Sequence, residues 1–417
     1  MTVEDKRLRP IFFTDASFYP YIGALLVILI WGIYAYIVQL RIGLSGTGMN
    51  DITIWSVYIV NFIFFSGISL AGIGIAAAVR IMHMKNYEPL VRIAEVLTVV
   101  SLSMAGLSVV IDLGRPDRSY LLIQNYFERI GTSTMMWDIT AVATYLILSA
   151  TFLYVGLRAD IKECAIRCSD WRRPLYNTLL FWYDEEETPT VHRLARILSI
   201  TILPVMIMFH TVLAWIFGVG STRPLWFGAV AGPYFVSAAI ASGIGAIIVI
   251  AALLRWIYNW ENILSDDIFR GLGNFLSVSI LVYMYFMLAE ATTSIYAAPS
   301  GETQVINEWL FGSFSYIYWP MLILGMAMPA TILIIQALRP GYINVKVTAS
   351  LAAIVVAAFW IKRYIIIVPT LSLGAYLPYF PTWIEVSITL ATFALFFLMY
   401  TGFVKLFPLF ELESEEI

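Results

Sequence analysis

Histidine and cysteine are scarce in this chain, which has three histidines and two cysteines among 417 residues. A membrane haem b generally needs axial histidines on facing helices, yet His210 alone lies in an apolar segment, with His83 and His192 between segments. Iron–sulfur clusters need groups of cysteines, and the pair Cys164 and Cys168 lacks the other ligands that zinc requires. We therefore expect no haem, no iron–sulfur cluster and no metal ion in this chain.

Charged residues are also few, at 13% of the chain against about one quarter in soluble domains. The net charge is −3 and no basic domain lies outside the apolar segments, which excludes nucleic acid as a partner. No connection between segments is long enough for an independent soluble core. We therefore expect one domain, residues 1–417, embedded in a lipid bilayer.

Long apolar runs make up most of the sequence, and ten of them can each cross the ~30 Å hydrocarbon core of a bilayer. Because lipid offers the backbone no hydrogen-bond partner, such runs must be helical. The predicted fold class is an all-α integral membrane protein with ten transmembrane helices, in which residues 155–194 form the longest loop. The ten segments are Tyr19–Leu40, Ile54–Met82, Ile93–Ile111, Thr134–Tyr154, Ala195–Phe217, Gly232–Trp256, Leu272–Tyr296, Ser313–Gln336, Val345–Ile367 and Trp383–Lys405.

Lysine and arginine are distributed unequally between the two sides of these segments. With the N-terminus in the cytoplasm, eighteen of the 25 lie on the cytoplasmic side and seven on the outer side, Lys362 and Arg363 among the seven. Cytoplasmic loops carry the excess of Lys and Arg in membrane proteins. We therefore predict a multi-pass protein of the cell (cytoplasmic) membrane with both termini in the cytoplasm.

A weak internal repeat is visible in the second and sixth segments. Tyr58 precedes Ser66 by eight residues, Tyr234 precedes Ser242 by eight, and a glycine follows each serine. A parallel repeat of this kind predicts two similar four-helix bundles, with helices one and ten peripheral; chance similarity between apolar helices is the alternative. The predicted bundles are helices two to five, residues 54–217, and helices six to nine, residues 232–367.

Ionisable residues within the apolar segments concentrate near the outer side. A charge in hydrocarbon costs about 2.5–3.5 kcal/mol, so such a cluster predicts a functional site. Simpler interpretations are a helix cap formed by Asp112 with Arg115, or a histidine that only bonds its neighbours in the core. A structural ion pair between Glu385 and Arg363 is another. The ionisable residues within these segments or near their outer ends are Asp112, Arg115, Asp138, His210, Glu290, Arg363 and Glu385, and Trp137 adjoins Asp138.

Together these residues predict the wall of a pocket for a small amphipathic ligand with two oxygens and an apolar tail. A quinone fits, because its head needs hydrogen bonds and a carboxylate or imidazole that exchanges protons. Two other classes stay open: a secondary transporter or proton channel, and a passive anchor for an outer enzyme. A transporter should carry polar residues toward both faces, whereas the inner half here is nearly uncharged.

Several motifs carry a resemblance to a known family. They are Asp112-Leu113-Gly114-Arg115-Pro116, Trp137-Asp138, Trp55 with Tyr58, Asn61 and Phe62, Gly67 and Gly72, His210-Thr211-Val212 with Trp215, Pro233-Tyr234-Phe235, Arg363-Tyr364, and Pro381-Thr382-Trp383 with Glu385. With these motifs the sequence resembles the polysulfide reductase membrane subunit family, also called NrfD-like, from Trp55 to Pro408. Ten helices resemble its long members, those of alternative complex III and of sulfite-reduction-associated complexes.

The resemblance implies a quinone-binding membrane subunit of a respiratory electron-transfer complex, an oxidoreductase subunit that is not catalytic alone. Family members exchange electrons between a menaquinol-type quinone and a ferredoxin-like iron–sulfur subunit on the outer face, within a complex of further redox subunits. In alternative complex III relatives a histidine precedes Leu-Gly-Arg-Pro. Here Asp112 takes that place, which points toward the sulfur-metabolism complexes.

The resemblance also implies roles for individual residues. Asp112 and Asp138 would accept protons from quinol, and Arg115 would hold Asp112. The rest of the predicted quinone site is Trp137, Tyr58 and Asn61. A second polar region would comprise His210, Glu290, Arg363 and Glu385. The loop at residues 112–135, with Arg118 and Arg129, would dock the iron–sulfur partner.

Overall fold

The computed structural model describes residues 3–180, 188–219, 223–228, 230–297, 299, 301–339, 343–373 and 379–410, and the side chains of all of these except 3–6, 188–192 and 219. It is 82% helix, and the described residues contain no strand. The α-helices are α1 (Val3–Phe12), α2 (Phe18–Ile42), α3 (Val57–Ile81), α4 (Glu88–Asp112), α5 (Tyr120–Gln124), α6 (Tyr126–Arg129), α7 (Thr134–Arg167), α8 (Arg172–Leu179), α9 (Thr188–Val219), α10 (Ala231–Tyr258), α11 (Asp266–Ala297), α12 (Glu302–Leu310), α13 (Ser315–Leu322), α14 (Met328–Ala337), α15 (Val345–Ser372) and α16 (Trp383–Leu406).

Ten helical spans in the described residues are long and apolar enough to cross a membrane, which confirms the predicted fold class. They are α2, α3, α4, α7, α9, α10, α11, α13 joined to α14, α15 and α16. The eighth span is irregular, since a π-helical turn at Ile323–Ala327 joins α13 to α14 between Pro320 and Pro329. Proline removes a backbone donor and disturbs the helix around it. The chain is thus a multi-pass membrane protein.

The predicted loop at residues 155–194 is wrong at both ends, because α7 continues to Arg167 and α9 begins at Thr188, with α8 between them. Charged side chains lower the hydropathy there without ending the helix. Arg92 of α4 donates to Asp160 at 2.5 Å and to the carbonyl of Gly156 at 2.7 Å, and so anchors the extension of α7. Residues 181–187 of this connection lie outside the described residues.

Counting Lys362 and Arg363 with the outer side is also wrong, although the ninth predicted segment, Val345–Ile367, already contained both residues. The helix α15 continues through Pro369 to Ser372, and the two residues are 1% and 5% exposed. At 1.5 Å per residue, Lys362 lies about 15 Å from the end of the helix. Both cations are therefore inside the helix array.

The helices α3 and α10 cross at the centre of the molecule, and each contacts α9 and α15 as well. Their close approach depends on the two glycines of the repeat. A Cβ on Gly243 would overlap the Cβ of Ala71, and a Cβ on Gly67 would overlap a guanidinium nitrogen of Arg363. The repeat thus marks the central crossing, while the division into two four-helix bundles stays a prediction.

The helices α2 and α16 pack against each other, and the apolar stretch of α2 is only 11% buried. A Cβ on Gly32 of α2 would overlap the Cβ of Ala391, so this contact also needs a glycine. We call the end of the helix array where α2 and α4 terminate and α16 begins the Glu385 end. The opposite end is the Arg92 end.

Candidate functional site

Glu385 is a buried carboxylate whose hydrogen bonds are all supplied by the protein. Its Oε2 accepts from the backbone N–H groups of Gly48 and Thr382, both at 2.8 Å, and its Oε1 accepts from the Tyr379 hydroxyl at 2.7 Å. With Thr382 it forms a capping box at the start of α16. Burial and the Glu385 charge raise the pKa of Tyr379, which keeps that hydroxyl a donor. The ion pair with Arg363 does not form, and Glu385 is a structural anchor for the loop after α2.

Tyr58 lies beside Glu385 and is also satisfied within the protein. Its hydroxyl donates to Gln39 Oε1 at 2.6 Å, and Gln39 Nε2 donates to the carbonyl of Ile111 at 3.2 Å. The chain Tyr58–Gln39–Ile111 ties α3 to α2 and to the last turn of α4. Tyr58 therefore positions the end of α4, one residue from Asp112, and has its own hydrogen bonds already made.

Asn61 lies one turn further along α3 and links three helices. It accepts a hydrogen bond from Trp360 Nε1 at 2.8 Å, and its Nδ2 donates to Thr389 Oγ1 at 3.1 Å. Both ends of the amide are thus occupied by side chains of α15 and α16. Asn61 holds the wall of the site in place.

Asp112 and Asp138 differ from their neighbours because each carries a buried oxygen, Oδ1, with no hydrogen-bond partner in the described residues. Asp112 lies close enough to Glu385 and Tyr58 to interact with both electrostatically. A buried acceptor left without a donor costs about 1–3 kcal/mol. These two carboxylates are the unfilled hydrogen-bonding positions at the Glu385 end of α4 and α7.

The helices α4 and α7 bring the two aspartates to similar depths. A Cβ on Gly106 of α4 would touch Val142 of α7 at 3.8 Å, which fixes the register of the antiparallel pair. Because the two helices run antiparallel, Asp138, four residues before Val142, lies level with residue 110, four residues after Gly106. Asp112 is two residues beyond, about 3 Å along the axis.

The prediction that Arg115 holds Asp112 is wrong, because Arg115 turns outward to Asp117. Its Nε and Nη2 donate to the Asp117 carboxylate, both at 3.0 Å, and the two side chains are 63% and 60% exposed. This hydrogen bond raises the pKa of Arg115 and lowers that of Asp117. The backbone after Asp112 explains the outcome, since Gly114 at φ +66° turns the chain away from the helix.

The loop between α4 and α7 is anchored at its far end by Trp137, whose Nε1 donates to the carbonyl of Ile130 at 2.7 Å. Arg118 and Arg129 are both exposed on this loop. So are two large apolar side chains, Ile123 at 79% and Phe127 at 90%. The predicted docking residues therefore share a surface with apolar side chains that the rest of the chain does not cover.

His210 of α9 and Arg363 of α15 both contact α3, and they are close enough to interact electrostatically. The ring nitrogens of His210 contact the carbonyls of Met206 at 2.9 Å and Ser66 at 2.8 Å. Arg363 donates to backbone and side-chain oxygens of three helices. These are the carbonyls of Ile63 and Phe359 and the hydroxyl of Ser242, at 3.3, 2.9 and 3.1 Å respectively. Both residues thus link helices to the central crossing.

Glu290 faces a cavity between α10, α11 and α15, where it accepts a hydrogen bond from the Tyr234 hydroxyl at 3.3 Å. Arg363 lines the same cavity, as does Lys362, which the charge count had assigned to the outer side. Of the predicted second polar region, Glu290 and Arg363 line this cavity, and His210 lies near Arg363 without lining it. Glu385 belongs instead with Tyr58 and Asp112.

A family model described as "Polysulphide reductase, NrfD" matches residues 45–375 of this chain. The chain belongs to the NrfD family. This match confirms the resemblance drawn from the motifs, and it includes the helices that carry Asp112, Asp138, His210, Glu290 and Arg363.

Three relatives of this NrfD chain extend the comparison. A putative dimethyl sulfoxide reductase membrane subunit of Halobacterium salinarum is 28% identical, over 76% of this chain and 70% of that protein. A selenate reductase subunit of Mesobacillus selenatarsenatis is 24% identical, over 98% and 96%. The Hdr-like menaquinol oxidoreductase integral membrane subunit of Archaeoglobus fulgidus is 22% identical, over 88% and 82%.

Sequence reasoning missed Gln39 and Lys362 as parts of these regions of the NrfD chain. Gln39 gave no signal, because its partner Tyr58 meets it only when α2 and α3 pack. The repeat could have suggested the Lys362 cavity, since it pairs Tyr58 with Tyr234 at an offset of 176 residues. A carboxylate follows in each half, and each lies near its tyrosine: Asp112 near Tyr58 and Glu290 near Tyr234.

Proposed function

We propose that this NrfD-family chain is the quinol- and quinone-binding membrane subunit of a multi-subunit oxidoreductase. The observation that carries the proposal is the pair of buried, unpartnered carboxylate oxygens of Asp112 and Asp138 at similar depths among the described residues. The relative from Archaeoglobus fulgidus, named a menaquinol oxidoreductase integral membrane subunit, supports menaquinone as the quinone. The chain acts as part of a complex and not as an enzyme alone.

The chemistry follows from what the two carboxylates need. Each has an acceptor oxygen without a donor, and a quinol carries two O–H donors that can fill those positions. Oxidation of the quinol releases two protons and two electrons. Asp112 and Asp138 take the protons as general bases, and a partner subunit takes the electrons.

We assign the partner to the loop between α4 and α7. This loop directly joins the two helices that carry Asp112 and Asp138, and it exposes Phe127 and Ile123 between Arg118 and Arg129. An exposed apolar patch rimmed by polar residues is typical of a protein interface. A ferredoxin-like iron–sulfur subunit seated here would bring its cluster next to the proposed quinol site.

The charge distribution supports an outward-facing Glu385 end. Without the buried cations Lys362 and Arg363 of α15 and Arg92 of α4, five Lys and Arg lie on the outer side and seventeen on the other. The positive-inside rule then favours both termini in the cytoplasm and the protein in the cytoplasmic membrane. A complex that acts on a sulfur compound stays a prediction, in keeping with a relative named for dimethyl sulfoxide reductase.

The test is the variant Asp138→Asn in the native complex purified from its own membrane. Loss of a general base lowers rates by about 100-fold or more, so quinol-dependent electron transfer should fall by that factor while the complex stays assembled. Asp117→Asn is the matched control, since that carboxylate is exposed and lies on the loop that leads to α7. Wild-type turnover in Asp138→Asn would remove this site from the mechanism.

A further inference from the structure

The cavity beside Glu290 is a space of about 250 Å³ in the second half of the chain, distinct from the aspartates of α4 and α7. Its walls are largely aromatic and apolar, with Tyr283, Phe286 and Trp309 among them. On one side the lining includes Phe227 and Val230, which are 68% and 55% exposed. The cavity therefore has an apolar interior and an apolar border that reaches the protein surface.

Three buried donors that line this cavity have no hydrogen-bond partner in the part of the chain that the structure describes. They are Lys362 Nζ, Trp309 Nε1 and Thr370 Oγ1. All three residues are at most 2% exposed. An ammonium group and an indole N–H can only donate hydrogen bonds, whereas the Thr370 hydroxyl can donate and also accept. The cavity consequently lacks acceptors at three points of its wall.

Lys362 is held over the ring of Trp309, with Nζ 4.3 Å from the ring centroid, and this cation–π contact leaves its N–H bonds unused. Glu290 attracts it electrostatically from across the cavity. Glu302 also lines the cavity and accepts a hydrogen bond from Ser294 at 2.8 Å. Two carboxylates at the wall disfavour an anionic ligand, because like charges in a low-dielectric space repel.

The repeat gives this cavity its counterpart in the first half. Tyr234 follows Tyr58 by 176 residues and Glu290 follows Asp112 by 178. In the first half Tyr58 of α3 lies near Asp112 at the end of α4. In the second half Tyr234 of α10 donates a hydrogen bond to Glu290, near the end of α11. The two places thus occupy similar positions in the repeat.

We infer that this cavity is a second quinone site, one that takes the oxidised head, a flat ring with two carbonyl oxygens. Such a head is uncharged and only accepts hydrogen bonds, which matches three unfilled donors in an aromatic wall. The isoprenoid tail would leave past Phe227 and Val230. The inference rests on the proposed function, because both require that this chain binds quinone. The cavity itself has no part in the proposed function.

Photolabelling of the native complex with an azido-naphthoquinone, followed by peptide mapping, tests the assignment. Label should enter peptides of α10, α11 or α15, and unlabelled menaquinone should compete for it. Lys362→Met should lower this labelling by about tenfold or more, the loss expected for one charge-assisted hydrogen bond. Lys346→Met is the matched control, an exposed lysine at the other end of α15.

A second variant, Thr370→Val, removes one unpaired hydroxyl without changing the side-chain volume. It should also lower labelling of the same peptides, so the test stays decisive even where the Lys362→Met complex fails to assemble. Label found only on α4 and α7 would overturn this inference and leave the proposed function standing. Label on neither region would overturn both. Competition by anionic phosphatidylglycerol but not by menaquinone would assign the cavity to a lipid headgroup and refute the inference.

Discussion

The helix ends around Asp112 and Asp138 hold two buried acceptors without donors among the described residues, whereas the cavity beside Lys362 holds three buried donors without acceptors. A quinol offers donors and an oxidised quinone offers only acceptors. The two regions therefore carry opposite hydrogen-bonding demands, and under the two proposals each region suits one redox form of the same molecule. A tyrosine lies near a carboxylate in both regions, so the surrounding side chains, and not this pair, set the difference in hydrogen-bonding demand.

The largest expected effect is the contrast between Asp112→Asn and Lys362→Met. Loss of a general base should lower quinol-dependent electron transfer by about 100-fold in the first variant. The second should keep that rate within about threefold, because Lys362 does not touch the proposed proton acceptors. Steady-state rates of the two complexes measure the contrast. Equal losses of electron-transfer rate in both variants would contradict separate roles for the two regions.

Glu385 offers a contrast within one region, because both its carboxylate oxygens accept hydrogen bonds whereas Oδ1 of the nearby Asp112 has no donor among the described residues. Glu385→Gln should lower the free energy of unfolding by about 2 kcal/mol, the value of charge-assisted hydrogen bonds and a capping box. Thermal unfolding of the purified complex measures it, with the exposed Glu128→Gln as control. A loss of quinol oxidation with unchanged unfolding would instead place Glu385 among the reacting groups.

The partner should bind at the loop between α4 and α7, next to Asp112 and Asp138, and not at the cavity beside Lys362. Charge reversal with Arg118→Glu and Arg129→Glu should weaken binding of the iron–sulfur subunit by about tenfold, since rim charges contribute modestly. Quinone binding should persist, because neither arginine reaches the aspartates. Affinity co-purification compares this variant with Arg41→Glu, an exposed arginine at the same end. Crosslinks from the partner to α8 would reverse the proposed orientation.

The smallest effect is expected at Arg115. Since it pairs with the exposed Asp117 and not with Asp112, Arg115→Gln should leave both unfolding and quinol oxidation unchanged. The pH profile of turnover, compared with that of the unaltered complex, is the measurement. A shift of that profile would show that Arg115 controls the charge of Asp112 after all. The exposed loop would then take part in the proposed quinol site.

Hydropathy alone predicted the ten spans, because twenty apolar residues in lipid have few alternatives to a helix. It failed at the end of one span, because α7 continues to Arg167, well beyond the apolar run. The charge count also treated Lys362 as an outer cation, although this residue lies inside α15. Local composition cannot show such positions, since the partners that make the charges tolerable come from other helices. Arg92 stabilises the extension of α7, and Trp309 covers Lys362.

The motifs singled out Asp112, Asp138 and Glu290, and ionisable groups inside apolar segments are expensive enough to be noticed in a bare sequence. Only the tertiary structure separated Glu385, which is fully hydrogen-bonded, from Asp112, which is not. It also gathered Lys362, Trp309 and Thr370 around one cavity. Composition determines which groups are costly to bury, but whether each group finds a partner depends on contacts between residues far apart in the chain.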